Sequence, residues 1–468
     1  MQSFLDSLNS YIQLYNDYVG GYLIVAILVP TGIFFTLKYR FLQVTNLKHA
    51  IQLVSGKFSK KSDTGDVSHF KALTTALSGT VGTGNIVGVS LAILYGGPGA
   101  VFWLWVTGFL GMIIKTVECT LAQIFRKINA DGTISGGPMY YIEIGLKEKL
   151  GKFSKYLALI FAGAAALCTL GTGNMAQANS ISDVLYTSYN IPVYISGIII
   201  SLLVLSIIIG GLKRIANVTS TLVPTMAALY FIAALIVIVV HWREIPSTFG
   251  LIIKSAFTGT AATGGFIGST IMMTMIWGVK RGLFSNEAGQ GSAPMAHAAA
   301  KTEHPMREGI VASLEPLVDT IIICTLTALV VIISGAWSSG IKGAGMTLLG
   351  FQEGMGKVGL GFLAKHIVSG GLLLFAFTTI IAWSYYGSRA IQYLASDKWI
   401  KPYYYVFVLF TFFGSVWGTD LVWNFVDMVI TFMSIPNLIA LLLLAPVMTK
   451  EVKRYKMFLK ENNKRVQN

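Results

Sequence analysis

Apolar runs long enough to cross a bilayer recur along this 468-residue sequence. A spanning helix needs about 20 mostly apolar residues, because in hydrocarbon each backbone N–H and C=O must find a partner within the protein. Hydrophobic residues make up 54% of the chain and charged ones only 12%, where a soluble domain carries about 25% charged. The chain therefore reads as an all-α polytopic membrane protein. Eleven spans can be drawn, at 17–37, 69–94, 98–125, 153–180, 191–209, 215–241, 262–298, 308–334, 361–388, 403–419 and 421–448. Stretches 43–56, 137–150 and 246–257 read as interfacial helices or ordered loops.

Charge tests this count. The net charge of +14 fits lysine and arginine gathered on one side of a membrane better than it fits a nucleic-acid partner. Of the 35 basic residues, 29 fall in alternate connections: 38–71, 126–155, 210–218, 280–308, 389–401 and the tail from 450. The connections between these hold only Arg243, Lys254, Lys342, Lys357 and Lys365. This predicts a cytoplasmic C-terminus, an external N-terminus and an odd number of spans in a cell (inner) membrane. The N-terminal run carries Asp6 and Asp17 and no basic lead, so it reads as a retained helix rather than a signal peptide. Cys119, Cys168 and Cys324 lie in apolar stretches, and the six histidines show no metal-ligand spacing.

Two spans are interrupted. Between Leu77 and Val89 the second span reads Leu-Ser-Gly-Thr-Val-Gly-Thr-Gly-Asn-Ile-Val-Gly-Val. Each glycine costs a helix roughly 1 kcal/mol relative to alanine, so Gly79, Gly82, Gly84 and Gly88 predict local unwinding. The seventh span carries Gly282-Leu-Phe-Ser-Asn-Glu-Ala-Gly-Gln-Gly-Ser-Ala-Pro294. Setting the first span aside, these breaks open two sets of five spans, and five being odd inverts one set against the other. Matched broken helices in inverted halves are the best sequence pointer to a transporter's midplane site. Freed N–H groups at such a break attract a carboxylate and freed carbonyls suit a hard cation. Thr80, Thr83 and Asn85 add neutral oxygens and an amide; close helix packing through small residues is the other reading. The glycine spacing is wrong for a dinucleotide fingerprint and no strand precedes it.

Other polar positions follow. Glu287 either caps a half-helix or takes part in coupling. Phe284 either walls the solute or packs. Asn174, Gln177 and Ser180 are spaced to share one face of the fourth span, as are Thr379 and Trp383 on the ninth; adjacent Thr378 and Thr379 offer hydroxyls for an oxygen cage. Lys115 and Glu118 are spaced to pair with each other. Glu315 and Asp319 are spaced to share a face, as a proton relay or as partners for Arg281, Arg307 or Arg389. No Walker A lysine, nucleophile elbow or HExxH occurs, so neither ATP-driven transport nor an enzyme is expected.

The motifs Ala76–Gly88, Gly136-Gly-Pro-Met-Tyr-Tyr141, Gly173-Asn-Met-Ala-Gln-Ala-Asn179 and above all Arg281–His297 resemble the alanine or glycine:cation symporters, also called sodium:alanine symporters, over about residues 15–450. The resemblance implies a LeuT-type five-plus-five inverted repeat with one additional N-terminal helix. Residues 1–450 would form one transporter domain, with the extra helix at 17–37, the repeats at 69–241 and 262–448, and a basic cytoplasmic tail at 451–468. It implies Na⁺-coupled uptake of alanine, glycine or similar amino acids, with Na⁺ as coupling ion, no cofactor and no nucleic-acid partner. The amino acid would sit near Thr80, Gly82, Thr83, Asn85, Gln177, Phe284, Asn286, Thr379 and Trp383. Na⁺ would sit near carbonyls of Gly79 and Gly82 with hydroxyls of Thr378 or Thr379. A proton-coupled carrier using Glu287, Glu315 or Asp319 is the alternative.

Overall fold

A computed structural model describes residues 2–60, 63–129, 132–258 and 268–467. Residues 262–267 of the expected seventh span, Lys61 of the basic connections and Asn468 of the tail lie outside the described residues. The long helices are α1 (Asp6–Lys38), α2a (His69–Thr80) with α2b (Gly84–Gly96), α3 (Ala100–Ile124), α4 (Phe153–Tyr189), α5 (Val193–Ile208) and α6 (Gly211–Val240). They continue as α7 (Ile271–Asn286), α8 (Pro305–Ile333), α9 (Ala364–Leu394), α10 (Ile400–Val416), α11 (Thr419–Leu443) and α12 (Ala445–Gln467).

The protein is a helical multi-pass membrane protein. Among the described residues, seven helices are long and apolar enough to span a bilayer unaided, and the α2a–α2b pair, bent by 49°, makes an eighth if taken as one span. Helices α5, α7 and α10 have only 16, 16 and 17 residues, short of the 20 or so that a full crossing needs.

Local chemistry sets the ends. Ser68 caps α2a by accepting from Lys71 N at 3.3 Å, and Thr270 caps α7 by accepting from Met273 N at 3.2 Å. Pro305 opens α8, where a missing N–H costs nothing. The amphipathic stretches form short helices Leu47–Val54, Pro138–Gly145 and Ile245–Thr258. Two features were not expected: a hairpin pairing Lys127–Ile128 with Ile134–Ser135, and a helix over Ala344–Gly356.

Helices α2 and α7 occupy the centre. α7 lies so close along α3 that a Cβ on Gly278 would stand 2.4 Å from Ala100 O, the small-residue contact that lipid-embedded helices use in place of a hydrophobic drive. The tail is not a loose appendage. Tyr455 of α12 meets His49 Nε2 at 2.7 Å, and Phe458 packs on His304 with ring centroids 4.0 Å apart. Burial and the Arg307 guanidinium hold both imidazoles below their ordinary value of 6.5. Their neutral forms therefore favour docking of α12; that contribution is present above pH 6.5 and lost as pH falls through the lowered values. Limited proteolysis of α12 is expected to be faster at pH 5 than at pH 7.5, and a His49→Gln, His304→Gln variant is expected to lose the difference.

Candidate functional site

At the end of α2a the chain turns extended: Val81 has φ −74° and ψ 91°. Helix resumes at Gly84 as a π-turn over Gly84–Gly88. The peptide groups set free between them are met by side chains of α4 and α9 and by Asn85 of α2b itself. Thr379 Oγ1 of α9 stands 2.9 Å from Ser78 O and 3.4 Å from Val81 O. Trp383 Nε1, one turn on, donates to Gly79 O at 3.2 Å. Gly82 N donates to Asn85 Oδ1 at 2.9 Å, and Thr83 N to Gln177 Oε1 of α4 at 3.1 Å. A Cβ on Gly82 would lie 2.5 Å from Thr379 Oγ1 and 3.0 Å from Gln177 Oε1, so only glycine allows these two side chains to close on the break.

The α7 break joins the same cluster. Glu287 takes a left-handed conformation (φ 56°) at the end of α7, accepts from Trp383 Nε1 at 2.9 Å and bonds Ser292. Phe284 lies over Gly84 and tilts against Trp423 with centroids 5.0 Å apart. Asn286 caps the turn by accepting from Ala288 N at 3.0 Å, and its buried Nδ2 has no partner among the described residues.

The predicted residues do not all converge. Gly82, Thr83, Asn85, Gln177, Thr379 and Trp383 do, with Phe284 beside them. Thr80 bonds back to Ala76 O and Leu77 O of its own helix. Thr378 turns toward Met226 Sδ of α6 and Phe375 O; Thr379 also stands 3.0 Å from Phe375 O, but of the two adjacent threonines only it reaches the break. Asn174 does not share Gln177's partner, because a π-turn at Gly171–Met175 aims it at Phe407 O of α10, 2.6 Å away.

Several ionic expectations are corrected. Lys115 pairs not with Glu118 but with Glu315, at 3.0 Å and fully buried; Glu118 bonds Asn437. Glu315 and Asp319 have different neighbours, since the helix goes over to a π-helical run, Leu317–Cys324, between Glu315 and Asp319. Among the described residues neither pairs with an arginine. Arg281 instead meets Asp427 of α11 at 2.6 Å, with Lys280 at 2.9 Å. These two cations belong with Asn9, Asp17, Lys342 and Asp420 around a cavity of about 590 Å³, not with the basic connections, because the α7 break comes after them. A second cavity of about 960 Å³, lined by Lys127, Lys213, Tyr385 and Arg389, opens at the basic end. The break residues are buried between the two.

Sequence reasoning missed Asp427, although a lone acid in an apolar run was the signal for it. It also missed a buried chain in which His297 bridges Glu308 Oε1 and Glu315 Oε1, each at 2.6 Å, and Glu308 bonds His69. Cys119, His297 and Glu315 bring ligand atoms within 4.8 Å of one another. Both His297 nitrogens are already taken by carboxylates, so no lone pair is left for a metal.

The family model described as the sodium:alanine symporter family matches residues 5–468. The chain belongs to the sodium:alanine symporter family. Relatives of this chain include the sodium/alanine symporter AgcS of Methanococcus maripaludis, 42% identical over 95% of this chain and 97% of that one. The probable sodium/glutamine symporter GlnT of Bacillus subtilis is 36% identical over 97% and 91%. In fold the chain is similar to MhsT, solved with L-phenylalanine (TM-score 0.57, 14% identity, 81% of this chain and 89% of that one). It is also similar to a manganese transporter of Eremococcus coleocola (TM-score 0.54, 14% identity, 83% of each). These are LeuT-like neighbours, and the chain is a secondary transporter, not an enzyme.

Two stability outcomes follow. A Cβ on Gly173 would stand 1.9 Å from Trp383 Cγ, so Gly173→Ala is expected to displace the indole and lower the unfolding midpoint in detergent. Lys115→Met leaves Glu315 short of its lysine and is expected to destabilise by about 3–5 kcal/mol, read in the same melt.

Proposed function

We propose that this protein carries small neutral amino acids such as alanine and glycine into the cell together with Na⁺, by alternating access. The observation that carries the reading is the α2 break, where the Gly82 and Thr83 N–H groups and the Ser78, Gly79 and Val81 carbonyls meet side chains of α4 and α9. In this reading the substrate carboxylate takes the freed N–H groups from Asn85 and Gln177, and Gln177 Oε1 turns to the ammonium. Trp383 and Phe284 bound the side-chain space and favour small solutes. Na⁺ lies among the Ser78 and Val81 carbonyls with Thr379, the threonine whose position supports that role. Arg281, Asp427 and Trp423 close the route from the cavity near residues 9–17.

The same reading takes α1 as the additional helix and α2–α11 as two inverted sets of five, with the basic end and α12 cytoplasmic and the N-terminus outside the cell membrane. The proton-coupled alternative draws support from the His69–Glu308–His297–Glu315 chain; a relative in Bacillus subtilis is named a putative sodium/proton-dependent alanine carrier.

In proteoliposomes, an inward Na⁺ gradient is expected to drive uptake of labelled alanine, and a pH gradient without Na⁺ is not. Uptake driven by the pH gradient alone would favour the proton carrier. Gln177→Ala is expected to raise the half-saturating alanine concentration at least about tenfold, the scale of losing a hydrogen bond to a charged group.

A further inference from the structure

At the basic end, a pocket of about 720 Å³ opens where the helix Pro138–Gly145 and the short helix Lys147–Leu150 meet the first turns of α4. Its wall carries three exposed lysines, Lys147, Lys152 and Lys155. The lysines that form ion pairs among the described residues are others: Lys60, Lys115, Lys280 and Lys357. The acid on the wall, Glu143, is already engaged, accepting from the Tyr393 hydroxyl of α9 at 2.5 Å. Positive charge therefore gathers round this hollow without an acidic side chain to match it.

The charged wall passes directly into an apolar one. On α4, Lys152, Lys155, Tyr156 and Leu159 follow at i, i+3, i+4 and i+7, which is one face of a helix, and all four line the pocket. Beside that face Phe153, Ile160 and Leu167, seven residues apart, are 59%, 58% and 51% exposed. At 1.5 Å per residue the stripe runs about 21 Å, longer than the roughly 15 Å of hydrocarbon in one leaflet. Tyr156, itself exposed, stands at the step between charge and hydrocarbon, the depth at which amphipathic rings settle in a membrane. A small anion would use the lysines and leave the apolar stripe uncovered; a neutral lipid would do the reverse. A phosphate on the end of an acyl chain matches both. α4 also starts without a side-chain cap, which leaves its first N–H groups to a phosphate.

We propose that this pocket binds one anionic phospholipid of the cytoplasmic leaflet, its phosphate among Lys147, Lys152 and Lys155 and an acyl chain along Phe153, Ile160 and Leu167. This rests on the cytoplasmic placement of the basic end and not on which solute or ion is carried. The lipid has a mechanical consequence. α4 carries Gln177, and Glu143 joins the pocket to α9, which carries Thr379 and Trp383. A lipid that bridges the helix Pro138–Gly145 to α4 fastens together, at their basic ends, the two helices whose side chains meet the α2 break.

The test is the unfolding midpoint of the full-length protein in detergent, titrated with phosphatidylglycerol. The midpoint is expected to rise with phosphatidylglycerol, but neither with phosphatidylcholine of the same chains nor with glycerol phosphate, which has the headgroup alone. Combining Lys147→Gln, Lys152→Gln and Lys155→Gln is expected to raise the half-saturating lipid concentration at least about tenfold. Combining Lys453→Gln, Lys456→Gln and Lys460→Gln, which removes equally exposed cations from α12, is expected to leave it unchanged. If the pocket triple does not fold, Lys152→Gln alone is expected to raise it about fivefold, the scale of one lysine near an anionic surface. A wild type whose midpoint ignores phosphatidylglycerol, or pocket variants that keep its titration, overturn the proposal. So does an equal loss in the α12 variant, which makes the effect one of net charge, and so does an equal rise with glycerol phosphate, which makes the pocket a site for free phosphate. Na⁺-driven alanine uptake in phosphatidylcholine vesicles tests the transport reading separately, whether or not the lipid binds.

Discussion

Peptide groups released at depth in a membrane have no water to turn to, and the interior of this protein is arranged around five of them. Ser78, Gly79 and Val81 offer carbonyls, and Gly82 and Thr83 offer N–H groups; Trp383, Asn85 and Gln177 meet three of these, and Thr379, with one O–H to give, stands within reach of both Ser78 O and Val81 O. The requirement fixes the positions of α4 and α9 against α2, because an unmet group in hydrocarbon costs several kcal/mol. Trp383 extends the arrangement by bonding Gly79 O and the Glu287 carboxylate at once, which fastens the two helix breaks to each other. A solute entering here replaces side chains that already make the bonds it needs.

On either side of the breaks stand buried ionic ties. Toward the basic end, His69, Glu308, His297, Glu315 and Lys115 run in one hydrogen-bonded chain through α2a, α8, the segment after α7 and α3. Toward the other end Arg281 and Asp427 tie α7 to α11. Buried pairs of this kind add little net stability over apolar packing, but losing one partner is expensive. They therefore act as fixed connections between particular helices, and a conformational change that separates the helices must break them. The cavities of about 590 and 960 Å³ lie beyond these ties at opposite ends.

Much of this was legible beforehand. The apolar runs located α2, α3, α5 and α8 to within a few residues but started α1 at 17 rather than Asp6, ended α4 at 180 rather than Tyr189 and carried α7 past Asn286; the glycines at 79, 82, 84 and 88 located the α2 break. Gly82, Asn85, Gln177, Thr379 and Trp383 were named from the sequence and meet around one point. Which hydroxyl of the Thr378–Thr379 pair faces inward was not legible, nor was the partner of Lys115. The placement of Lys280 and Arg281 at the end away from the other basic residues was read wrongly, because charge counts assume that a span is crossed before its flanking charges appear.

What the sequence determined by itself was where helix is favoured and where it fails, since propensity, chain polarity and glycine's cost act over a few neighbouring residues. Only the tertiary structure decided which side chain meets which. In an ideal helix one residue's shift rotates a side chain by about 100°, and the π-turns at Gly84–Gly88, Gly171–Met175 and Leu317–Cys324 introduce such rotations at the positions that matter. Spacing rules built on a regular helix therefore align Glu315 with Asp319; Lys115 and Glu118 do lie on the unbroken helix α3, and there it is the approach of α8 that gives Lys115 the Glu315 carboxylate instead.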